Sequence, residues 1–390
     1  MRPGGARRLC TADAPEGRVT GQDARVTIQR RVCDDRETVA GRPDGARAGR
    51  GDGANAGRGD GVDPHGLRCR AVRVLLVTGM YPTPERPGLG GFVRDQVEAL
   101  RAIGGVQIEL FAIGAGGSAR WVTAARELRR LYARERFDLV HAHYGLAGWT
   151  ALAIRGAPHV VTFHGTDLAH PVVGRMSRAL ARMIDLPAPV SASLTRFGGG
   201  GLPGAGRTLP AAILPTGVNL DRFAPRDRAE ARARLGLDPA KPYLLFPADP
   251  ARAEKRHDRA RALAEAAGAE LLGYGGTAPE RVPDLINAVN AVVATSEREG
   301  YGLAPLEALA CDVPVLSTDV GIAPVALRGV EGTLCAPFDR DRWLRSLEPH
   351  LADPDPRIEG RARAELFDRN RMAARVFEAY RAVAEGSARR

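Results

Sequence analysis

Strand-like and helix-like segments alternate along this chain from Val72 onward, and this alternation limits the fold more than any other feature. Short aliphatic and β-branched runs, such as Val72–Thr78 and His159–Phe163, have the length of buried strands. Amphipathic segments of helical length, such as 120–136, lie between them. Such alternation predicts a doubly wound parallel sheet. Because the pattern restarts at Pro242, we expect a second α/β unit.

The alternation divides the chain into four segments. Residues 1–70 repeat Gly, Arg and Asp and contain too little apolar surface to form a core, so we predict a disordered tail. Rossmann-like domains are predicted at 71–218 and 219–370, and an amphipathic helix at 371–390. The predicted fold class is therefore α/β, with two doubly wound domains that face each other across a cleft.

Charge and composition exclude several classes of protein. The net charge is +10, but no basic stripe with interleaved aromatic residues is visible and aromatic residues make up only 5%, so we expect no nucleic-acid partner. The five cysteines form no Cys-x-x-Cys pair, and no apolar run approaches the ~18–20 residues of a membrane span. We expect a cytoplasmic protein and leave open a peripheral contact with the inner face of the membrane.

The motif that says most about function is a pair of glutamates, Glu299 and Glu307, on either side of a glycine-containing turn. An apolar run before it predicts a strand, and Pro305 is placed to open a helix. Loops at the carboxyl ends of parallel strands bind ligands, and Gly300 and Gly302 allow close approach of the backbone to an anion. Carboxylates for hydroxyls at both ends of a ligand, with amides between them, suit a sugar nucleotide.

The segment 296–317, which contains this motif, resembles the retaining glycosyltransferases of family 4, which have the GT-B fold. The resemblance covers residues 72–385, and family members usually have Phe where Tyr301 stands. It implies transfer of a sugar from a nucleotide-sugar donor to an acceptor hydroxyl with retention of anomeric configuration. It also implies that the acceptor enters through the N-terminal domain and that the final helix packs back on that domain.

The same resemblance assigns roles to the motif. Glu299 is expected to bind the sugar hydroxyls and to act at the catalytic centre, and Glu307 to bind the ribose. The backbone around Gly300, Gly302 and Leu303 is expected to contact the diphosphate.

Two cations follow the first strand of the second unit. Arginine offers a bidentate grip on phosphate, and lysine a point charge. The chain has only two lysines, Lys241 and Lys255, so the presence of Lys255 here is suggestive. Because the family has Arg and Lys on the donor diphosphate, we expect Arg252 and Lys255 to bind it.

The first unit contributes histidines as candidate site residues. His164 ends a predicted strand, where it could accept a hydrogen bond from a sugar hydroxyl or stabilise charge near the reacting carbon. The resemblance places the matching histidine against the donor sugar, so His164 is the catalytic candidate of this domain. His141 and His143 share one face of another strand; we expect His143 to line the cleft and His141 to pack behind it.

A glycine-rich loop lies between the first strand and the first helix. It lacks the spacing of a dinucleotide-binding fingerprint. It resembles the family's Gly-Gly loop, which approaches the donor phosphate and the acceptor when the cleft closes. Gly90 and Gly91 are therefore predicted to contribute backbone contacts.

No cofactor is expected, because the enzymes that this chain resembles need no metal and the nucleotide sugar is a substrate. The acceptor stays open among a lipid, a polysaccharide precursor and a small molecule. No catalytic nucleophile stands out, and the resemblance implies a front-face route in which the leaving phosphate helps to deprotonate the acceptor.

Three alternatives remain at this point. A nucleotide-sugar epimerase shares the fold but needs further acid and base groups in the cleft. A non-catalytic sugar-nucleotide-binding protein would not need the complete set of glutamates and cations. A Rossmann dehydrogenase is disfavoured by the missing dinucleotide fingerprint.

Overall fold

A computed structural model describes residues 70–199, 202, 206, 207, 209–274 and 277–388 of the chain. These residues form two α/β units, each built on a five-stranded sheet. All paired strands within the two sheets are parallel. The predicted pair of doubly wound domains is thus confirmed, while the tail predicted at 1–70 lies outside the described residues except for Arg70.

The first unit has the strand order β2-β1-β3-β4-β5. Its elements are β1 (Val72–Thr78), α1 (Gly91–Ile103), β2 (Val106–Ala112), α2 (Arg120–Tyr132), β3 (Leu139–His143), α3 (Gly145–Ala151), β4 (His159–Phe163), α4 (Thr166–Ala169), α5 (Pro171–Ala181) and β5 (Leu186–Pro189). The central strands β3 and β4 are buried along their whole length, as expected for a sheet covered by helices on both faces.

The second unit has the strand order β10-β9-β8-β6-β7. Its elements are α6 (Arg228–Leu235), β6 (Tyr243–Phe246), α7 (His257–Ala266), β7 (Glu270–Gly273), α8 (Val282–Ala288), β8 (Ala291–Ala294), α9 (Ala304–Ala310), β9 (Val315–Ser317), α10 (Ala323–Ala326), β10 (Leu334–Cys335), α11 (Arg340–Ala352) and α12 (Arg361–Ala364). Because β7, β6 and β8 are neighbours, the loops that follow these three strands meet at one edge of the sheet.

The last helix, α13 (Arg369–Ala388), returns from the second unit to the first. Its buried residues Val376 and Tyr380 pack in one apolar cluster with Val74 of β1 and Leu139 of β3. Burial of apolar side chains stabilises this contact by roughly 25 cal/mol per Å². The chain therefore crosses between the units twice. The residue limits of the predicted domains stay predictions.

Candidate functional site

A cavity of about 490 Å³ lies between the two units, at the carboxyl ends of their strands. Both units contribute to its lining. The first unit contributes Met80, Gly88, Phe92, His164, Gly165 and Thr166, and the second contributes Arg252, Glu254, Lys255, Tyr274, Ser296, Arg298, Glu299, Gly300, Gly302, Leu303 and Glu307, among others. All the residues predicted to bind the donor, together with His164, thus line one cavity, although their roles stay predictions.

Lys255 and Glu299 form an ion pair on the wall of the second unit. Lys255 Nζ donates to Glu299 Oε1 at 2.5 Å, and Ser296 Oγ donates to the same oxygen at 2.8 Å. Lys255 is only 9% exposed, so solvent screens the pair weakly. Thr295 Oγ1, at the end of β8, donates to the Lys255 carbonyl oxygen at 3.1 Å. The loops after β6 and β8 are thereby joined, which explains why two distant motifs form one site.

Glu307 lies in the first turn of α9 and faces the same cavity. Tyr274 Oη donates to Glu307 Oε2 at 3.4 Å. Burial raises the pKa of Glu307 to about 7, against the opposing effects of the Arg222 guanidinium and the Tyr274 hydroxyl. Glu307 therefore changes its charge near neutral pH. Sequence reasoning missed Tyr274, although its place after β7 signals the same edge of the sheet.

Two arginines bring further positive charge to this wall. Arg252 Nη2 donates to Glu254 Oε1 at 2.6 Å, so this arginine, which is predicted to bind the phosphate, is already paired with a carboxylate. Arg298, which sequence reasoning missed, is exposed and lines the cavity two residues after Ser296. An incoming anion would thus meet one arginine that is shared with a carboxylate and a second one at the rim.

His164 stands on the opposite wall, directly after β4. Phe92 contacts its ring, with centroids 5.1 Å apart. Burial lowers the pKa of His164 to about 3, so the ring is neutral at physiological pH. Asp167 fixes the loop, because its carboxylate accepts hydrogen bonds from the backbone amides of His164 at 3.0 Å and Gly165 at 2.8 Å. The wall of the first unit therefore presents an uncharged imidazole held on a rigid turn.

The structure corrects the position predicted for His143. Its side chain is fully buried and does not line the cavity; it lies behind His164, with Nδ1 3.0 Å from His164 Nε2. His141 is also buried and packs deeper, between Tyr380 Oη at 2.6 Å and Thr162 Oγ1 at 2.8 Å. Tyr380 of α13 covers the His141 ring and His164 covers the His143 ring, so neither histidine of this strand reaches the cavity.

Gly90 and Gly91 lie at the start of α1 but outside the cavity lining. Gly90 has φ 69°, and a Cβ there would overlap the Met80 carbonyl oxygen, so the turn requires glycine. The neighbouring Gly88 and Phe92 line the cavity instead. A contribution of Gly90 and Gly91 on closure of the cleft stays a prediction.

The two walls touch at a pair of glycines. A Cβ on Gly300 would overlap the His164 carbonyl oxygen, and a Cβ on Gly165 would lie 2.7 Å from Gly300 Cα. Ser191 Oγ, from the first unit, donates to the Gly300 carbonyl oxygen at 2.6 Å. Only glycines fit at this contact. The contact therefore sets the distance between His164 on one wall and Glu299 on the other.

Within the described residues, no group of three or more His, Cys, Asp or Glu side chains is placed to bind a metal ion. No helix in the described part of the chain is long and apolar enough to cross a membrane.

Comparison with protein families gives two matches. Residues 251–366 match the family described as Glycosyl transferases group 1, and residues 65–188 match the one described as Glycosyl transferase 4-like domain. The D-inositol 3-phosphate glycosyltransferase of Segniliparus rotundus is 30% identical over 65% of this chain and 68% of its own length. The enzyme of the same name from Streptomyces scabiei is 31% identical over 63% of this chain and 68% of its own length.

Solved structures show the same architecture. Sucrose-phosphate synthase from Thermosynechococcus elongatus superposes with a TM-score of 0.61 at 21% identity, over 80% of this chain and 98% of its own. Anabaena HepE in complex with UDP-glucose gives a TM-score of 0.55 at 15% identity, over 79% and 99%. At these identities the similarity concerns the fold alone, and it confirms the predicted GT-B architecture.

Proposed function

Since this chain belongs to the glycosyltransferases of group 1 and is therefore a transferase, we propose that it moves a sugar from a nucleotide-sugar donor to an acceptor hydroxyl with retention of configuration. The observation that carries the proposal is the cavity between the units, where Lys255, Glu299 and Glu307 face His164. One solved neighbour, Anabaena HepE, is described in complex with UDP-glucose, which supports a donor of this class.

The donor diphosphate fits the wall of the second unit. Lys255 and Arg252 are now paired with Glu299 and Glu254, and a phosphate would compete for both cations. Once Lys255 turns to the phosphate, Glu299 becomes free to accept from sugar hydroxyls. In the transfer step the cations stabilise the negative charge that develops on the leaving diphosphate.

Glu307 is placed to accept hydrogen bonds from the ribose hydroxyls. Because burial raises its pKa to about 7, both the neutral and the charged form are present near neutral pH. A ribose that donates two hydrogen bonds favours the charged form, so binding of the nucleotide should lower this pKa. Binding of the donor thus favours the ionised Glu307 carboxylate that accepts these hydrogen bonds.

Retention by a front-face route fits the distribution of carboxylates. Among the described residues that line the cavity, the carboxylates are Glu254, Glu299 and Glu307, all on the wall of the second unit. Asp167 of the first unit is committed to backbone amides. The bond between the anomeric carbon and the phosphate oxygen breaks, the acceptor oxygen bonds to that carbon on the same face, and its proton passes to the leaving phosphate.

The acceptor enters through the first unit, and no metal is needed in this proposal. The relatives are named D-inositol 3-phosphate glycosyltransferases, which makes a phosphorylated polyol the first acceptor to test. A cytoplasmic location, with or without contact to the membrane, remains part of the proposal.

A donor screen followed by an acceptor screen tests the function. Thermal shift with UDP, GDP, ADP and their sugars selects the nucleotide, and Glu307→Ala should abolish the largest shift. Release of free nucleoside diphosphate is then measured with and without acceptors. Release that depends on the acceptor supports transfer. An epimerase would convert the donor sugar without releasing nucleotide, a binding protein would show shifts without turnover in any acceptor, and a dehydrogenase would bind NAD.

A further inference from the structure

His143 and His164 form a buried pair of rings at the wall of the first unit. The ring centroids lie 5.2 Å apart with the planes 26° apart, and His143 Nδ1 lies 3.0 Å from His164 Nε2, so the two rings meet edge to edge. His143 is fully buried, and within the described part of the chain its Nε2 has no hydrogen-bond partner. Sequence reasoning gave His143 a place in the cleft; the structure gives it a contact with the residue that is there.

The missing partner decides which ring donates. A neutral imidazole has one N–H and one acceptor nitrogen. If His164 donated from Nε2, His143 would have to accept at Nδ1 and bury an N–H at Nε2 without an acceptor. Among buried backbone groups, unpaired acceptors are commoner than unpaired N–H donors, and a ring N–H loses hydration in the same way. His143 therefore donates from Nδ1, and its Nε2 bears only a lone pair.

This direction fixes the proton of His164. When Nε2 of His164 accepts, its single N–H must be at Nδ1. Nδ1 of His164 makes no hydrogen bond to any other described residue, and His164 lines the cavity. The free edge of this ring is thus a hydrogen-bond donor.

We propose that His143 is a positioning residue, which donates its Nδ1–H to His164 Nε2 and so presents the Nδ1–H of His164 to an oxygen of the donor sugar. This inference rests on the proposed transferase function for the identity of the ligand. It changes the role expected for His164 from acceptor of a sugar hydroxyl to donor.

The surroundings of the pair agree with a His164 tautomer that is determined by hydrogen bonding and not by a nearby charge. His141 contacts the His143 ring, with centroids 4.5 Å apart, but both its nitrogens are within hydrogen-bond distance of hydroxyls. Burial lowers the pKa of all three histidines, so the three rings are neutral. The Asp167 carboxylate, the nearest acid on the loop, is held by backbone amides.

The tautomer of His164 can be read directly by nitrogen NMR on the full chain labelled at its eight histidines. The His164 signals are those lost in His164→Gln. We expect protonated Nδ1 and bare Nε2 in the wild type, and a mixture of tautomers in His143→Phe. A wild-type proton on Nε2 overturns the proposal. This readout needs no turnover, so it stands even if every donor and acceptor pair proves inactive, an outcome that would instead refute the proposed function.

Kinetics separates positioning from packing. His143→Phe should lower kcat about two- to tenfold, the range of one neutral hydrogen bond, with KM for the donor changed less than about twofold. His143→Asn should recover most of kcat, because its side-chain amide can donate from nearly the same place.

The matched control is Thr162→Val, which removes a hydroxyl from His141 without touching His164. It should leave both kcat and the His164 tautomer unchanged. Equal losses in the Phe and Asn variants, or no loss in Phe, would contradict the proposal. If His143→Phe does not fold, the wild-type spectrum and His143→Asn still decide.

Discussion

The two walls of the cavity differ in charge. The wall of the second unit contains an ion pair, Lys255 with Glu299, and a carboxyl group, Glu307, that titrates near neutral pH. The wall of the first unit presents His164, whose ring is neutral and is backed by a second neutral ring, His143. Charge is thus concentrated where a diphosphate would bind and leave. Uncharged hydrogen-bonding groups lie where the sugar would bind.

The walls are also built with different precision. The charged side chains are long, and in the proposed donor complex Lys255 exchanges Glu299 for a phosphate oxygen. His164 is held by the hydrogen bond from its own backbone amide to the Asp167 carboxylate, by ring contacts and by the glycine contact with Gly300. This site thus combines an adaptable charged wall with a rigid neutral one.

Removal of the buried lysine should have the largest effect on the charged wall. Lys255→Met should lower turnover about 10²–10³-fold, the loss typical when one group that stabilises developing negative charge is removed. The other lysine is a matched control, because Lys241 is exposed and, within the part of the chain that the structure describes, pairs only with Glu270 at 3.4 Å. Lys241→Met should retain turnover within about twofold, since a surface ion pair contributes little. Equal losses in the two variants would mean that overall charge, and not the site, matters.

A methyl group at the glycine contact should have the next largest effect, because it displaces the rigid wall. Gly300→Ala places a Cβ against the His164 carbonyl oxygen, so the walls must separate. A displacement of about 1 Å costs about 100-fold in rate, and we expect a loss of that size in kcat/KM. Gly114→Ala is the control, because a Cβ there meets nothing within 4 Å. Full activity of Gly300→Ala would show that the contact does not set the geometry.

The pH dependence of nucleotide binding should also distinguish the two walls, and its effect should be smaller than those of the two substitutions above. Below pH 7 Glu307 is mostly protonated and accepts poorly from ribose; above it the carboxylate forms. Affinity for the nucleoside diphosphate should therefore rise about tenfold from pH 6 to pH 8, following the ionised fraction. Calorimetry on Glu307→Gln corrects for titration of the ligand itself, and this variant should lack the rise. A rise of the same size in Glu307→Gln would assign it to the ligand.

Much of the charged wall could be predicted from the sequence, because its groups belong to short motifs after strands. Lys255 follows β6 and Glu299 follows β8, and neighbouring parallel strands bring such loops together. Tyr274 and Arg298 were missed, since each is a single residue in a loop with no pattern around it.

The neutral wall depended on contacts between distant parts of the chain. His-x-His placed two rings on one face of β3, but the sequence does not show that His164 would cover His143 or that Tyr380 of α13 would cover His141. In β5, Pro187 and Pro189 have the pattern of a loop. A strand at the edge of a sheet tolerates them, because their missing N–H groups break no central ladder.

The most direct test of the difference between the walls is the dissociation constant of the nucleoside diphosphate, measured by calorimetry for the wild type, Lys255→Met and His164→Ala. We predict that Lys255→Met weakens binding about tenfold or more, because a charge-assisted contact is lost. We predict that His164→Ala binds within about twofold of the wild type while its turnover falls, because a residue that contacts the sugar adds nothing to affinity for the free nucleotide. Equal weakening in both variants, or none in Lys255→Met, would contradict the assignment of the diphosphate to the charged wall and of the sugar to the neutral one.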